Sequence, residues 1–297
     1  MAGKSADWEW YRSFLAVMQA GSVSAAARAM GLAQPTVGRH IDSLEQALQL
    51  KLFTRASDGF TPTDAGRALA PYAGEMASTA AALLRAASGQ GDGVKGSVRI
   101  SASDVVGVEV LPSILTPLRE RYPELVIELM LSNQADDVLH RQADIAVRMF
   151  QPVQEALIAK RIGTIELGLF GHPRYLAQHG VPQSIDDLAG HTLIGYDRET
   201  AFLRAQQAKY PYFKRERFDL RADSDVAQLA FIRAGYGLGV CQTGLAKRDG
   251  GLQRVLAGQL ALKLDTWVVM HEGLRNSPRC AVTFAALAEG LAAYAGA

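Results

Sequence analysis

The sequence predicts an α/β protein in two parts, a mainly helical N-terminal part and a longer part in which strands and helices alternate. Up to residue 87, apolar residues recur at helical spacing. From residue 97 onward, short runs rich in Val, Ile and Leu alternate with amphipathic helical stretches, which is typical of an α/β fold. A glycine-rich segment separates the two patterns, so we expect a flexible hinge over residues 88–96.

The composition is that of a folded, water-soluble protein: of 297 residues, 48% are hydrophobic and 21% are charged. No apolar run approaches the roughly 20 residues needed to cross a bilayer, and residues 1–10 lack the apolar core of a signal peptide. We therefore expect a cytoplasmic protein without membrane contact. Two cysteines, Cys241 and Cys280, exclude a disulfide framework and leave buried free thiols or a redox-active thiol as alternatives.

Three helices are predicted in the first 48 residues. Asp7 is suited to cap a first helix that ends at Gly21. Ser22 would cap a short second helix, residues 23–30, that ends at Gly31, and Pro35 fits the first turn of a third helix that runs to about residue 48. Two short helices joined by a tight glycine-containing turn form a helix-turn-helix unit.

The third helix has an apolar stripe and a polar face. Val37, Ile41, Leu44 and Leu48 form the stripe, which leaves Gln34, Thr36, Arg39, His40 and Ser43 towards the other side. Gln and Arg near the start of such a helix can make bidentate contacts to base edges in the major groove of DNA. A three-helix packing module with a solvated polar face is the alternative. The candidate DNA-binding residues are Ser22, Ser24, Gln34, Pro35, Thr36, Arg39, His40 and Arg55.

Residues 52–55 and 60–61 flank an Asp58-Gly59 turn and predict a short strand pair, a wing, from which Arg55 can reach phosphates or the minor groove. The winged helix-turn-helix domain then covers residues 1–63. Residues 64–87 predict one long Ala-rich helix. We interpret it as a dimerisation helix that positions two DNA-binding domains over two-fold-related DNA half-sites. Its apolar stripe consists of Ala65, Leu69, Tyr72, Met76, Ala80, Leu83 and Ala87.

These motifs, in this order and spacing, resemble the signature of LysR-type transcriptional regulators. The resemblance is carried by Phe14, the run Gly21-Ser22-Val23-Ser24-Ala25-Ala26-Ala27, Gln34-Pro35-Thr36-Val37, Ile41, Leu44-Glu45, Leu52-Phe53-Thr54-Arg55 and Thr61-Pro62-Thr63-Asp64-Ala65-Gly66. It implies DNA-binding transcription regulation, assembly as dimers or dimers of dimers, and a C-terminal domain that binds a small-molecule effector. Two positions depart from the family pattern, because Ala33 and Gly38 replace frequent serines. Ala33 lacks a side chain that could cap the third helix, and Gly38 has poor helix propensity. Each change costs about 1 kcal/mol of helix stability.

Strands are predicted at residues 97–101, 125–131, 144–148, 167–171, 193–196, 218–222 and 238–242. Helices are predicted at residues 108–122, 137–141, 225–234 and 278–294. This alternation favours a mostly parallel sheet. Two connections, near residues 160–166 and 265–272, resemble the crossings of the family's effector-binding domain, which is similar to the type 2 periplasmic solute-binding fold. We expect this domain to span residues 97–297, with lobe I at about 97–163 and 268–297 and lobe II at about 164–267.

Ligands of open α/β sheets bind where strands end at their carboxyl edge, beside helix N-termini. That rule nominates the effector-binding candidates Ser101, Ser103, Asp104, Asn133, Arg148, Tyr196, Arg198, Ser224, Gln242 and Thr243. Each has a structural alternative: Ser224 as a helix cap, Ser101 as a sheet hydroxyl, and Arg148 as half of an ion pair with Asp144 or Asp104. Arg148 and Arg198 would suit a carboxylate effector, although two arginines do not identify a ligand.

We find no motif for catalysis, a cofactor or a metal in the sequence, and expect none. Gly235-Tyr236-Gly237-Leu238-Gly239 has the wrong glycine spacing for a dinucleotide fingerprint and precedes a strand instead of following one. The histidines are scattered, without metal-ligand spacing. The rival classes are a solute-binding protein, disfavoured by the DNA-binding unit and the missing signal peptide, and an enzyme fused to a regulator.

Overall fold

The computed structural model describes residues 6–56, 59–88, 93–132, 142–152, 157–199, 203–204, 210 and 213–296. The chain divides near residue 87 into two compact units. Four sequence-based predictions fall outside the described residues: the Asp58 turn, the centre of the hinge, the helix at 137–141 and the position of Asn133. No helix in the described part of the chain combines the length and hydropathy that a membrane crossing requires.

The first unit begins with the three predicted helices, α1 (Trp8–Ala20), α2 (Val23–Met30) and α3 (Gln34–Leu48). The caps are also confirmed. Asp7 accepts a hydrogen bond from the amide of Glu9, and Gly21 and Gly31 end their helices in the left-handed region with φ of 71° and 66°. Glycine occupies these turns because it adopts positive φ without steric cost.

The core of the first unit lies between the three helices. Phe14 and Val17 of α1 meet Val37, Ile41 and Leu44 of α3, and all five are at most 2% exposed. Ala26 and Ala27 of α2 are also buried, which lets α2 cross its neighbours closely. This burial fixes which face of α3 remains outside.

The wing follows as β1 (Phe53–Ala56) paired antiparallel with β2 (Gly59–Pro62). The long helix α4 (Asp64–Ser88) then begins, one residue longer at its C-terminus than predicted. Its first three turns are anchored to the helix-turn-helix core through Leu69, Ala70 and Ala73.

The first half of the second unit contains β3 (Gly96–Ala102), α5 (Leu111–Arg121), β4 (Leu125–Leu131) and β5 (Ile145–Arg148). The helix after β3 starts earlier than predicted. It begins at Asp104 and passes through a π-helical turn, Val106–Val110, before α5. A Cβ at Gly107 in this turn would lie 2.3 Å from a terminal methyl group of Leu131 in β4.

The rest of the unit contains β6 (Leu157–Gly171), α6 (Pro173–His179), β7 (Leu193–Gly195), β8 (Leu220–Arg221), α7 (Asp225–Arg233), β9 (Leu238–Gln242), α8 (Thr243–Asp249), β10 (Gln253–Val255), β11 (Leu262–His271) and α9 (Pro278–Ala295). The sequence analysis missed α6, α8 and β10, which are short. It predicted the crossing at 160–166 and the strand at 167–171 separately, and both lie in the single strand β6.

The strands form one sheet in the order β4-β3-β5-β11-β6-β9-β7-β8, with β10 on β6. Our prediction of a mostly parallel sheet is wrong. The pairs at each end are parallel, but β11 runs antiparallel to β5 and β6, and β6 antiparallel to β9 and β10. The reason is that β6 carries the chain from one lobe to the other and β11 carries it back.

Two lobes result. Lobe I surrounds β3, β4 and β5, where α5 and α9 pack together, and lobe II surrounds β7, β8 and β9 with α7. One buried cluster, which includes Ile100, Ile145 and Leu287, fills lobe I and continues to Leu229 and Ile232 of α7. A second cluster fills lobe II and includes Leu169, Leu188, Leu193 and Leu260.

Candidate functional sites

The residues at the start of α3 that are predicted to contact DNA bases are accessible to solvent. Gln34, Pro35 and Arg39 are exposed and Thr36 is half-buried. Ala33 precedes the helix and makes no side-chain cap, as its missing hydroxyl requires. The exposed Gln and Arg side chains have the donor and acceptor groups that base edges pair with.

The other predicted DNA-binding residues lie in different settings. The hydroxyl of Ser22 caps α2 by accepting from the amide of Ala25 at 3.2 Å, and Ser24 is half-buried. Arg55 lies in β1 opposite Phe60. His40 departs from the expected orientation, because its Nδ1 lies 2.8 Å from the hydroxyl of Ser13, which is buried in α1.

Glu45 is a structural residue that sequence reasoning quoted without giving it a role. Its carboxylate accepts hydrogen bonds from the amides of Leu52 and Phe53, at 2.8 and 3.2 Å, and from Lys51 Nζ at 2.5 Å. Burial alone would raise the pKa of Glu45, but these donors outweigh burial and lower it. Glu45 thereby ties the base of the wing to α3.

An apolar stripe on α4 remains exposed in the single chain. Tyr72 is 65% exposed, Met76 41%, Leu83 66% and Leu84 68%. The first three belong to the stripe predicted from the sequence. Large exposed apolar side chains in a row are typical of an interface surface.

The second unit contains a cavity of about 760 Å³. Polar residues from both lobes line part of it. Ser103 follows β3, Arg148 ends β5, Tyr196 follows β7 and Gln242 ends β9, as the strand-end rule predicts. Arg198 also lines the cavity, but its side chain is 87% exposed and its Nε lies 3.3 Å from the carboxylate of Asp223.

Of the remaining effector candidates, the four that the structure describes do not line this cavity. Ser101 lies behind it, where its hydroxyl accepts a 2.8 Å hydrogen bond from the buried guanidinium of Arg148. Ser224 caps α7 by accepting from the amide of Ala227. Thr243 lies at the start of α8 and lines a separate cavity of about 240 Å³. Asp104 is half-buried at the start of the helix after β3.

Tyr196 and Asp225 form a half-buried polar pair on the cavity wall. The Tyr196 hydroxyl donates to a carboxylate oxygen of Asp225. Burial raises the pKa of Tyr196, and the charge of Asp225 raises it further. Burial also raises the pKa of Asp225, and Asp104 adds to the rise, while the hydrogen bond from Tyr196 opposes it. Sequence analysis missed Asp225, although its place in the first turn of a helix after a strand was the available signal.

The larger part of the cavity wall is apolar. Some of its residues come from the crossing strands, from β9 and from the segment before β8: Leu167, Leu203, Phe213, Phe218, Val240, Leu262 and Leu264. Further apolar lining residues come from other elements of both lobes: Val105, Val147, Met149, Phe150, Ile194 and Leu229. Leu167, Phe213, Phe218 and Leu262 also belong to the buried core cluster of lobe II. The cavity therefore reaches into the core of that lobe.

Glu109 links the two lobes. It lies in the π-helical turn, with a side chain 14% exposed. Arg233 at the end of α7 donates to its two carboxylate oxygens at 2.6 and 3.0 Å, and Arg248 of α8 reaches the second oxygen at 2.6 Å. The hydrogen bond from Arg233 and the charges of both arginines lower the pKa of Glu109 against the opposing effect of burial.

Two family patterns match the chain. Residues 8–67 match "Bacterial regulatory helix-turn-helix protein, lysR family", and residues 91–292 match "LysR substrate binding domain". The first match covers α1 to the beginning of α4, and the second covers both lobes.

Curated relatives and solved structures agree with these matches. An HTH-type transcriptional regulator of Xanthomonas campestris is 26% identical over 90% of this chain and 80% of its own length. A protein of Pseudomonas aeruginosa named a transcriptional regulator is 32% identical, over 61% of this chain and 60% of its own length. The crystal structure of full-length CbnR with its target DNA superposes with a TM-score of 0.67, at 19% identity, over 97% of this chain and all of that one.

Proposed function

Because the chain belongs to the LysR family of transcriptional regulators, we propose that it binds DNA sequence-specifically under the control of a small molecule held between its two lobes. The family consists of regulators, not enzymes. One observation carries the proposal: the same chain contains a helix, α3, whose start is exposed and a cavity lined by residues from both lobes. Closure of the lobes around a ligand would change the population of DNA-binding states.

DNA contact is assigned to the start of α3, with Gln34 and Arg39 at base edges. Ser22, Ser24, Pro35, Thr36 and His40 are proposed to support these contacts, and Arg55 to reach phosphates or the minor groove from the wing. The experiment is a gel shift of the full chain on DNA from upstream of its own gene and the divergent neighbour. Absence of salt-sensitive, sequence-preferring binding would refute the proposal.

Arg39→Ala tests the reading helix directly. If Arg39 contacts a base edge, specific binding should weaken by about 1–3 kcal/mol, which is roughly a 5- to 150-fold loss, and discrimination at one base pair should relax. Arg12→Ala is the matched control, because Arg12 is exposed on α1 and paired with Glu9 at 2.8 Å. A reduced salt slope with unchanged sequence preference would instead make Arg39 a phosphate contact.

We also propose that two chains pair through the exposed stripe of α4, and that pairs assemble into a dimer of dimers. A surface with Tyr72, Leu83 and Leu84 each about two-thirds exposed supports a partner helix at that face. Sedimentation equilibrium at micromolar concentration should show a dimer or tetramer. A monomer would refute the assembly without affecting the assignment of the reading helix.

A further inference from the structure

The wall of the large cavity narrows the class of its ligand, an inference that rests on the proposed control by a small molecule. Much of this wall belongs to the buried core of lobe II, and Val240 packs against that core. The core residues that line the cavity are Leu167, Phe213, Phe218 and Leu262. Water finds few hydrogen-bonding partners along such a wall, so this part of the cavity favours an apolar occupant. A volume of about 760 Å³ is in the range of sites for drug-sized ligands.

The charged side chains on the described part of the wall each bond to the protein. Arg198 pairs with Asp223, and Asp225 accepts a hydrogen bond from a tyrosine hydroxyl. Arg148 donates to the hydroxyl of Ser101, behind the cavity, at 2.8 Å. A charged group on a ligand would compete with these contacts, and an ion that enters an apolar space without a partner loses its hydration at a large cost in free energy. The wall therefore favours an uncharged ligand.

Two neutral side chains on the wall keep polar atoms for a ligand. Gln228 and Gln242 line the cavity and are each 3% exposed. The amide nitrogen of Gln228 donates to the carbonyl of Ala222 at 2.7 Å. The amide oxygen of Gln242 accepts from the hydroxyl of Tyr294 at 2.6 Å. Within the described part of the chain, no hydrogen bond reaches the oxygen of Gln228 or the nitrogen of Gln242, so one buried acceptor and one buried donor are available.

We infer that the effector is an uncharged molecule with an apolar body against the core of lobe II and a polar end, such as a hydroxyl, that both donates and accepts. A hydroxyl can accept from the nitrogen of Gln242 and donate to the oxygen of Gln228, whereas a carboxylate cannot donate and an ammonium group cannot accept. This ligand differs from the carboxylate that the two arginines suggested in the sequence.

The test measures binding of linear primary alcohols to the full chain by calorimetry, from butanol to octanol, below their solubility limits. Each added methylene buried against the wall should tighten binding about fourfold. At neutral pH one octanol should bind per chain, at least tenfold more tightly than octanoate or octylamine. Affinity independent of chain length, or binding of either ion as tight as that of octanol, would overturn the inference.

Gln242→Met tests the polar end of the ligand. The substitution keeps the length of the side chain but removes its amide, so octanol affinity should fall about fivefold. Gln259→Met is the matched control, because Gln259 is exposed and lies outside the cavity wall. Equal octanol affinities in the two variants would overturn the placement of the hydroxyl.

Val240→Phe locates the apolar body. The added ring occupies the apolar part of the cavity, so octanol affinity should fall at least tenfold while butanol affinity changes little. Val181→Phe is the matched control, because Val181 is 40% exposed and lies outside the cavity wall. Equal losses in both variants would overturn the placement of the apolar body.

The wild-type series remains decisive if either cavity variant fails to fold. The gel shift separates the ligand class from the proposed function. Sequence-preferring DNA binding by a protein that binds octanol no better than octanoate would refute only the ligand class, whereas absence of DNA binding would refute the proposed function.

Discussion

At the scale of single residues, Gly66 permits α4 to begin directly against the chain that enters the wing. A Cβ at this position would lie 2.3 Å from the carbonyl oxygen of Leu52. Thr63 reinforces the junction, since its hydroxyl donates to the carbonyl of Lys51 at 2.7 Å and accepts from the amide of Gly66 at 3.0 Å. Glycine is therefore required here by contact with backbone that cannot move aside.

Gly66→Ala should destabilise the first unit by about 1–3 kcal/mol, because overpacking against backbone outweighs the better helix propensity of alanine. Urea unfolding of the full chain measures the change. The matched control is Gly74→Ala on the same helix, where a Cβ would meet nothing within 4 Å. This control should gain up to about 1 kcal/mol, and a gain of the same size in Gly66→Ala would contradict the contact.

Glu45→Gln should destabilise the first unit by about 1–2 kcal/mol at neutral pH, since an amide oxygen accepts more weakly than a carboxylate. The folded pKa of Glu45 is lowered, so the charge stabilises the fold above the unfolded value of about 4.3. That stabilisation is lost as pH falls through the lowered folded pKa. The difference between wild type and variant should therefore shrink below about pH 4.

Unfolding free energies of the two proteins between pH 3 and pH 7 check this dependence. Glu9→Gln is the control, because Glu9 lies on the surface in a pair with Arg12 and its charge should contribute little. A difference that stays constant down to pH 3 would show that the charge of Glu45 is not what holds the wing.

At the scale of elements, the π-helical turn connects the large cavity to the contact between the lobes. Ser103 and Val105 line the cavity, and Glu109 follows them in the same helical segment. Glu109 in turn holds Arg233 of α7 and Arg248 of α8. A ligand that shifts this segment would also shift the ion pairs that join lobe I to lobe II.

Glu109→Gln should lower the stability of the second unit by about 1–3 kcal/mol, because it leaves two arginines facing a neutral group in a mostly buried site. Hydrogen exchange should accelerate in α7 and α8. Asp265→Asn provides the control: Asp265 pairs with Arg161 at 2.7 Å, but both side chains are more than half exposed, so little change is expected. Equal effects of the two substitutions would contradict a special role for Glu109.

The sequence predicted elements best where one short pattern determines them. α2 and α3 have the predicted bounds, because Ser22, Gly31 and Pro35 mark their ends locally. Contacts between residues far apart in the sequence are not determined by local patterns. The antiparallel direction of β11 against β6, and the bonds of Glu109 to residues 124 and 139 positions away, depend on tertiary packing. The strand-end rule placed four residues on the cavity because strand ends can be recognised from local sequence: Ser103, Arg148, Tyr196 and Gln242. The apolar part of the wall was missed because its residues come together only through tertiary packing.

At the scale of the whole molecule, the near-neutral charge of the first unit limits how tightly a single chain can bind DNA. Residues 1–90 contain 8 Lys and Arg against 7 Asp and Glu, so counterion release from DNA supplies little affinity per chain. Ala33 and Gly38 further weaken the start and middle of α3. The proposed pairing through α4 would double the phosphate contacts and hold two copies of α3 at a fixed separation.

DNA binding should therefore be lost when pairing is lost. Leu83→Glu places a charge on the exposed stripe of α4, far from α3 in sequence, and should convert the protein to monomers in sedimentation. Its specific affinity for DNA should fall at least tenfold, and the slope of log affinity against log salt should fall by about half. Leu50→Glu is the control, because Leu50 is 45% exposed in the same unit and lies off the stripe. A monomeric Leu83→Glu with unchanged affinity and salt slope would show that a single reading helix suffices and that α4 serves another purpose.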